Sequence, residues 1–174
     1  MFGLDILVKI FKILRSDASP TQISAGFIIG MIIGLTPFWT LHNLILIVLV
    51  IILSVNIGSV LLSFIIFSAI GYLFDPLFHH LGYFLLVEIE TLKGLWTTLY
   101  NLPVIALSRY NNTVVMGSLL VALILTLPFF FLVKRGVIYY RENIDTKMQK
   151  WKIVKVIKGS KIYNLYEKIR NLGD

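Results

Sequence analysis

The sequence has no cysteine, few charged residues and only three histidines. The absence of cysteine excludes disulfides, thiolate nucleophiles and cysteine-based metal sites. The charged fraction of 14% lies well below the roughly one quarter that is usual for a soluble domain. This composition therefore argues against a soluble globular domain.

The residue patterns of enzymes and metal sites are also missing. The sequence shows no nucleophile–base pair, phosphate-binding loop or nucleotide fingerprint, so we predict that the chain is not an enzyme and needs no cofactor. His79 and His80 are adjacent, and on a helix their side chains point about 100° apart. With His42 as the remaining imidazole, we predict no metal site.

Long apolar runs dominate what the sequence does contain. Hydrophobic residues make up 57% of the chain, and the mean hydropathy is +0.86. Runs of this length predict transmembrane helices. The predicted fold class is an all-α integral membrane protein with three or four membrane helices, flanked by amphipathic interfacial helices.

Positive charge is concentrated at the two ends of the chain. Residues 134–174 carry a net charge of +7, residues 1–19 carry +1 and residues 20–133 carry −1. Basic flanks stay on the cytoplasmic side of a membrane, so we predict cytoplasmic termini and an even number of crossings. Beside a membrane, a basic segment favours a phospholipid bilayer with anionic headgroups as its partner, rather than nucleic acid.

The charge and hydropathy patterns divide the chain into three parts. Residues 1–18 are predicted to hold a cytoplasmic amphipathic interfacial helix, because apolar residues line one side and charged residues the other. Lys9 and Lys12 interrupt the apolar run along the sequence, which argues against a signal peptide. Residues 19–135 form the membrane domain, in which 82–112 are interfacial on the outer face. Residues 136–174 form a basic cytoplasmic amphipathic tail. Its predicted membrane-surface residues are Lys147, Lys150, Trp151, Lys155 and Lys158.

Four apolar segments lie in the predicted membrane domain. Segments 37–55, 57–74 and 113–133 are predicted to be membrane helices. Segment 20–35 rises only roughly 24 Å as a helix, whereas a crossing needs roughly 20 residues. It is therefore predicted to be either a short crossing or half of a re-entrant hairpin.

A stretch near the N-terminus predicts a helix that stops and restarts inside an apolar region. Ser19-Pro20, with Gln22 three residues later, has the pattern of a capping box. The apolar run ends at Thr36-Pro37, where we predict that a second helix begins with Thr36 as its cap. Such a break leaves backbone groups unpaired, so it requires protein or a polar cavity around it.

Asp75-Pro76, followed by His79, repeats the plan of this first break. Corresponding broken helices occur in transporter folds built from repeated halves, although two ordinary helix starts explain the same pattern. Asp75 is either the N-cap of a helix that begins there or a proton-coupling carboxylate.

The first break is the centre of the predicted ligand site. Free amides and the dipole at a helix N-terminus attract phosphate, and aromatic side chains beside it suit the glycerol and chains of a lipid. The predicted lipid-binding residues are Thr36, Pro37, Phe38, Trp39, His42, Asn43, Asp75 and His79. Small residues at helical spacing predict close helix packing. They are Gly26, Gly30, Gly34, Ser118 and Ala122.

The glycine ladder is part of a longer pattern. It reads Pro20-x-x-Ile23-x-Ala25-Gly26-Phe27-x-x-Gly30-x-x-x-Gly34-x-x-Pro37-x-x-x-x-His42, with Asn56 further on. This pattern resembles a bacterial inner-membrane family, the domain of unknown function twenty sixty-two. The chain differs from the family at Trp39-Thr40, where a glycine usually precedes the histidine. The resemblance, through a short subgroup of the family, implies pairing with a large envelope protein of the elongated, lipid-bridging kind and a role in envelope lipid movement.

These observations support more than one function. In the first hypothesis, the chain is an accessory of envelope phospholipid transport that contacts headgroups at the broken helix and works with a larger envelope partner. In the second, it is a membrane anchor or scaffold in which the break only packs helices. A small proton-coupled transporter that uses Asp75 is a third alternative, and a homo- or hetero-oligomer is compatible with each.

Overall fold

The computed structural model is all-helical in the residues that it describes, which are 2–102, 105 and 107–145. This part contains six α-helices: α1 (Phe2–Arg15), α2 (Pro20–Leu35), α3 (Leu41–Ile52), α4 (Ile57–Tyr83), α5 (Glu90–Tyr100) and α6 (Thr113–Tyr139). Two π-helical segments, Phe84–Glu88 and Tyr140–Asp145, extend α4 and α6 directly. The predicted all-helical class is confirmed. The predicted membrane-surface residues Lys147, Lys150, Trp151, Lys155 and Lys158 lie outside the described residues.

Short polar side chains set where α2, α4 and α6 begin. The predicted capping box of α2 is confirmed: Ser19 Oγ accepts from the Gln22 amide at 3.1 Å, and Gln22 Oε1 accepts from the Ser19 amide at 2.8 Å. Asn56 caps α4 by accepting from the Ser59 amide at 2.8 Å, and Asn112 caps α6 in the same way. Each oxygen replaces an intrahelical partner that the first turn lacks.

The break after α2 is longer than predicted, which corrects the helix start at Pro37. Thr36 ends α2 with an extended backbone (ψ 151°), as expected for a residue before proline, so it is not the cap of a second helix. Residues 37–40 are not helical, and Thr40 precedes the first residue of α3. The helix predicted over 37–55 is only 12 residues long in the structure, as α3. A helix of this length is too short to cross a bilayer.

A second correction concerns Asp75-Pro76. Helix α4 runs through both residues to Tyr83 instead of ending at Phe74. Asp75 is therefore not an N-cap, and the predicted repeat of two broken helices is wrong. Proline inside a helix removes one backbone hydrogen bond. The apolar run continues on both sides of Pro76. The remaining backbone hydrogen bonds of the 27-residue helix keep the turn around Pro76 helical.

Helices α2, α4 and α6 form the packed centre of the molecule. Gly26 lies against Ser59 and Gly34 lies against Phe67, so α2 and α4 run in the same direction. Near the end of α4, Gly82 lies against Thr113 at the start of α6, so α6 runs antiparallel to both. We call the end of the bundle where α2 and α4 begin the α1 end, and the opposite end the α5 end.

Helices α2 and α3 form a hairpin that covers only part of α4. Helix α3 returns to the α1 end, where Gln22 Nε2 donates to the Ser54 carbonyl at 3.3 Å. The last turn of α2 reaches Gly71 of α4, which contacts the backbone of Gly34. Because Gly82 follows Gly71 by eleven residues, the α2–α3 hairpin stops roughly 16 Å short of the α5 end.

The bundle is apolar both inside and outside. The largest buried cluster joins α2, α4 and α6 through Ile28, Met31, Ile32, Leu35, Phe67, Phe78 and Ala122. Many large apolar side chains of α3, α4 and α6 are nevertheless exposed. Within the described residues, two helical stretches, Ile57–Glu88 and Thr113–Ile144, are long and apolar enough to cross a membrane.

Arg141 fastens α1 to the rest of the bundle. Its guanidinium donates to the carbonyls of Leu14 and Ser16 at 2.8 Å, and to the carbonyl of Ala18 at 2.9 Å. Carbonyls at the end of a helix have no intrahelical partner, and a cation there complements the helix dipole. Arg141 therefore closes the C-terminus of α1 and ties it to the end of α6.

Replacing Arg141 by glutamine is expected to loosen this connection. The half-buried side chain would lose charge-assisted hydrogen bonds to backbone carbonyls, which corresponds to about 1–2 kcal/mol of unfolding free energy after screening. Thermal unfolding in detergent should therefore show a lower Tm than in the wild type. Arg135→Gln, at an exposed position of α6, is the matched control. Equal Tm values for the two variants would contradict the stabilising role of Arg141.

Candidate functional site

The segment between α2 and α3 is closed by its own hydrogen bonds. Asn43 is fully buried, and its Nδ2 donates to the carbonyls of Pro37 at 3.0 Å and Phe38 at 3.3 Å. Thr36 Oγ1 lies 2.8 Å from the Ile32 carbonyl and 3.0 Å from Asn43 Oδ1, and shares one proton between them. The carbonyls of Ile32, Pro37 and Phe38 thus have hydrogen-bond partners, whereas Thr40 makes no side-chain cap bond at the start of α3.

Phe38 and Trp39 stand on the outside of this closed segment. Their side chains are 45% and 80% exposed. The Phe38 ring lies 5.3 Å from the Trp39 ring in an edge-on arrangement, and 6.1 Å from the ring of Phe64 on α4. An exposed aromatic pair beside exposed apolar helices is suited to contact with another apolar surface.

His42 is the polar residue of the break whose hydrogen bonds are incomplete. Its Nε2 lies 3.0 Å from Thr40 Oγ1. Its Nδ1 is buried and has no hydrogen-bond partner among the described residues. Leaving a buried polar atom unpaired costs about 1–3 kcal/mol. A ligand or a water molecule would therefore stabilise this nitrogen.

The other two residues predicted for the site lie on α4, beyond the tip of the hairpin. Asp75 is half-buried, one turn past Gly71. His79 is exposed, and its Nδ1 lies 2.7 Å from Thr113 Oγ1 at the start of α6. In the described part of the chain, no hydrogen bond links either residue to the break, and no group of three or more metal-ligating side chains is present.

The residues predicted for helix packing lie at contacts between helices. They are Gly26, Gly30 and Gly34 on α2, with Ser118 and Ala122 on α6. A Cβ at Gly30 would meet Ser63 Oγ and the Val60 carbonyl of α4. The last two residues of the set are completely buried. Small side chains here allow the backbones to approach closely.

An aromatic cleft at the α5 end was not predicted as a site. It has a volume of about 350 Å³ and lies between the segment Phe84–Glu88, α5 and the loop that precedes α6. Trp96 Nε1 donates to the Leu85 carbonyl at 3.0 Å, and the Tyr110 hydroxyl donates to the Trp96 carbonyl at 2.5 Å. Tyr100 lines the same cleft. Burial raises the pKa of Tyr110, and the neighbouring Tyr100 raises it further.

From the sequence, these three rings are recognisable only as the aromatic residues typical of a membrane interface. Two backbone features bring the three rings into one cleft. They are the π-helical segment Phe84–Glu88 and the positive φ of 57° at Arg109, just before Tyr110. Neither feature has a local sequence signal that would have revealed the cleft.

The comparisons with known proteins concern the whole bundle. A protein of Treponema pallidum (strain Nichols), itself described as an uncharacterized protein, is 25% identical over 142 residues, which are 82% of this chain and 87% of that protein. No solved structure matches the chain. The sequence profile of a family described as "Uncharacterized protein conserved in bacteria (DUF2062)" matches residues 8–144. Since this match includes α2, the break and both long helices, the chain belongs to that bacterial family, as the pattern of glycine, proline and histidine predicts.

Proposed function

We propose that the chain is an integral protein of the bacterial inner membrane in which α4 and α6 cross the bilayer and the α2–α3 hairpin re-enters it. The stretches Ile57–Glu88 and Thr113–Ile144 are each longer than the roughly 20 residues that a crossing needs. Two crossings leave both termini on one side. The basic residues near both ends favour the cytoplasmic side.

The register of the helices supports a re-entrant hairpin. Helix α2 starts at the α1 end and α3 returns there, while the tip stops roughly 16 Å short of the α5 end. In a bilayer this geometry leaves the break inside the apolar layer. The hydrogen bonds from Asn43 to Pro37 and Phe38 then provide the partners that lipid chains cannot offer to a broken backbone.

The function that the site supports best is that of an accessory in envelope phospholipid transport, working with a larger envelope protein. The observation that carries this proposal is the buried, unpartnered Nδ1 of His42 among the described residues. A lipid phosphate can accept a hydrogen bond from this nitrogen, and the first turn of α3 adds a favourable dipole. Phe38 and Trp39 are exposed beside it, where glycerol and acyl chains would lie.

A second candidate function is that of a membrane anchor or scaffold for a partner protein. The hydrogen bonds of Thr36 and Asn43 favour it, because they give the carbonyls of Ile32, Pro37 and Phe38 partners without any ligand. In this case a water molecule forms the missing hydrogen bond with His42 Nδ1, and Trp39 contacts lipid chains or the partner. Neither candidate assigns a catalytic role to the chain.

His42→Ala is expected to separate the two candidates. If a headgroup binds at the break, the variant should bind phospholipid roughly tenfold or more weakly, and so retain less of it per folded protein, as expected for the loss of a hydrogen bond of about 1.5 kcal/mol or more to a charged group. Folding should be nearly unchanged, because His42 contributes one side-chain bond, to Thr40. The measurement is phospholipid content after purification in mild detergent, with Tm recorded for the same sample.

His80→Ala is the matched control, because His80 is exposed on α4 and its Nδ1 lies 2.6 Å from the Pro76 carbonyl of its own helix. This variant should retain wild-type lipid. Equal lipid in His42→Ala and in the wild type would reject the headgroup site and leave the scaffold as the function.

A further inference from the structure

The aromatic cleft at the α5 end has chemistry that the proposed headgroup contact at the break does not use. Two of its three polar ring groups are already engaged: the Trp96 indole N–H donates to the Leu85 carbonyl, and the Tyr110 hydroxyl donates to the Trp96 carbonyl. The Trp96 and Tyr110 rings lie 6.0 Å apart and are tilted by 38°. What the cleft offers to a ligand is therefore mainly aromatic ring surface.

A cation also lies near this surface. Lys93 precedes Thr97 by one helical turn and Tyr100 by two, so it lies on the face of α5 that lines the cleft. Its Nζ is 3.6 Å from Glu90 Oε1, and both side chains are largely exposed. An exposed pair of this kind is weak. Lys93 can therefore exchange Glu90 for another anion at little cost.

We propose that the cleft binds the headgroup of a phospholipid that carries an ammonium group. The ammonium lies against the rings of Trp96, Tyr100 and Tyr110, as in the aromatic cages that bind quaternary ammonium ligands. The phosphate lies toward Lys93. This proposal rests on the proposed placement of α4 and α6 across a bilayer, and it concerns the opposite end of the molecule from the broadly basic α1 end.

The size and position of the cleft favour this occupant. A volume of about 350 Å³ is near the lower limit for ligand pockets, so it admits a headgroup and excludes a whole lipid. Leu86 and Val87 line the cleft in the segment directly after α4, and the exposed Leu77 and Tyr83 lie on the last turns of α4 itself. Acyl chains can therefore follow the apolar surface of α4 while the headgroup occupies the cleft.

The test uses the full chain in nanodiscs made of phosphatidylglycerol. Trp39→Phe and Trp151→Phe leave Trp96 as the single tryptophan of the chain. Rising fractions of phosphatidylcholine should produce a saturable change in Trp96 emission, whereas equal fractions of uncharged diacylglycerol should not. Tyr100 is exposed, which makes its substitution safe for folding. Tyr100→Leu should raise the midpoint by roughly threefold or more through loss of one cation–π contact, while Tyr100→Phe should keep the wild-type midpoint.

Each other outcome overturns the proposal in a recognisable way. A response to a glucosyl diacylglycerol that equals the response to phosphatidylcholine would identify a sugar site instead. Insertion into nanodiscs without any saturable response would reject the cleft as a headgroup site and leave the membrane placement intact. Failure of the chain to enter nanodiscs would overturn the membrane placement, and this proposal with it.

Discussion

Replacing Gly30 by leucine is expected to destabilise the protein more than any other single change at the α2–α4 contact. A Cβ at this position would meet Ser63 Oγ and the Val60 carbonyl, and the backbone atom cannot rotate away. Overpacking typically costs about 3 kcal/mol at its upper end, which corresponds to a fall in Tm of roughly 6 °C or more for a chain of this size. Thermal unfolding in detergent measures the effect.

Gly136→Leu is the matched control for this prediction. Gly136 lies in the long helix α6, and a Cβ there would meet no atom within 4 Å. Both variants replace a helical glycine by a better helix former, so the difference in Tm isolates the cost of separating α2 from α4. A Tm for Gly30→Leu as high as that of Gly136→Leu would mean that Gly30 does not lie at a close helix crossing.

Asn43→Ala is expected to have the second largest effect, and to act on folding before it acts on any ligand. The variant removes the side-chain donor for the carbonyl of Pro37, one of two donors to the carbonyl of Phe38, and an oxygen next to Thr36 Oγ1. Each buried polar group left unpaired costs about 1–3 kcal/mol. A loss of about 3 kcal/mol in unfolding free energy is therefore expected, and a denaturant titration in detergent would measure it.

Asn101→Ala, at an exposed position after α5, should change the unfolding free energy by less than about 0.5 kcal/mol. If Asn43→Ala were as stable as this control, while losing bound phospholipid, Asn43 would be a ligand-binding residue and the closed break would be wrong. If stability and lipid fall together, the residue acts by holding the break closed.

The helix starts are the part of the fold that short stretches of sequence predict best. Ser19 and Gln22 predict the start of α2 correctly, because a capping box involves only residues three positions apart. The apolar runs likewise predict that α4 and α6 exist. Their ends are harder to predict, because the apolar pattern continues into the π-helical segments Phe84–Glu88 and Tyr140–Asp145.

The two proline sites show where local reasoning fails. Pro37 and Pro76 each follow a polar residue within an apolar run, yet the helix stops at the first and continues through the second. The difference lies in residues that are not adjacent to either proline. Near Pro37, Asn43 replaces the lost backbone partners from a distance of six residues. At Pro76 the helical turns before and after the proline keep their own hydrogen bonds, and α4 continues to Tyr83.

The candidate site was predictable in part. The sequence brings Thr36, Trp39 and His42 together simply because they are close along the chain. The sequence cannot show that the side-chain amide of Asn43 already donates to the carbonyls of Pro37 and Phe38. Those hydrogen bonds depend on how residues 37–40 fold back. The sequence also cannot show that Asp75 lies away from the break. That separation arises because α4 continues without interruption through Asp75.

The weak attachment of α3 has a consequence for the dynamics of the protein. Asn43 is the single side chain of α3 that is fully buried, and half of the residues of this helix are exposed. Regions with few buried contacts open locally at a lower free energy than the whole molecule unfolds. We therefore expect α3 to open locally at a lower free energy than α2, α4 and α6 separate. Each such opening would expose the break from the side of α3, so the frequency of this motion would limit how fast anything enters or leaves it.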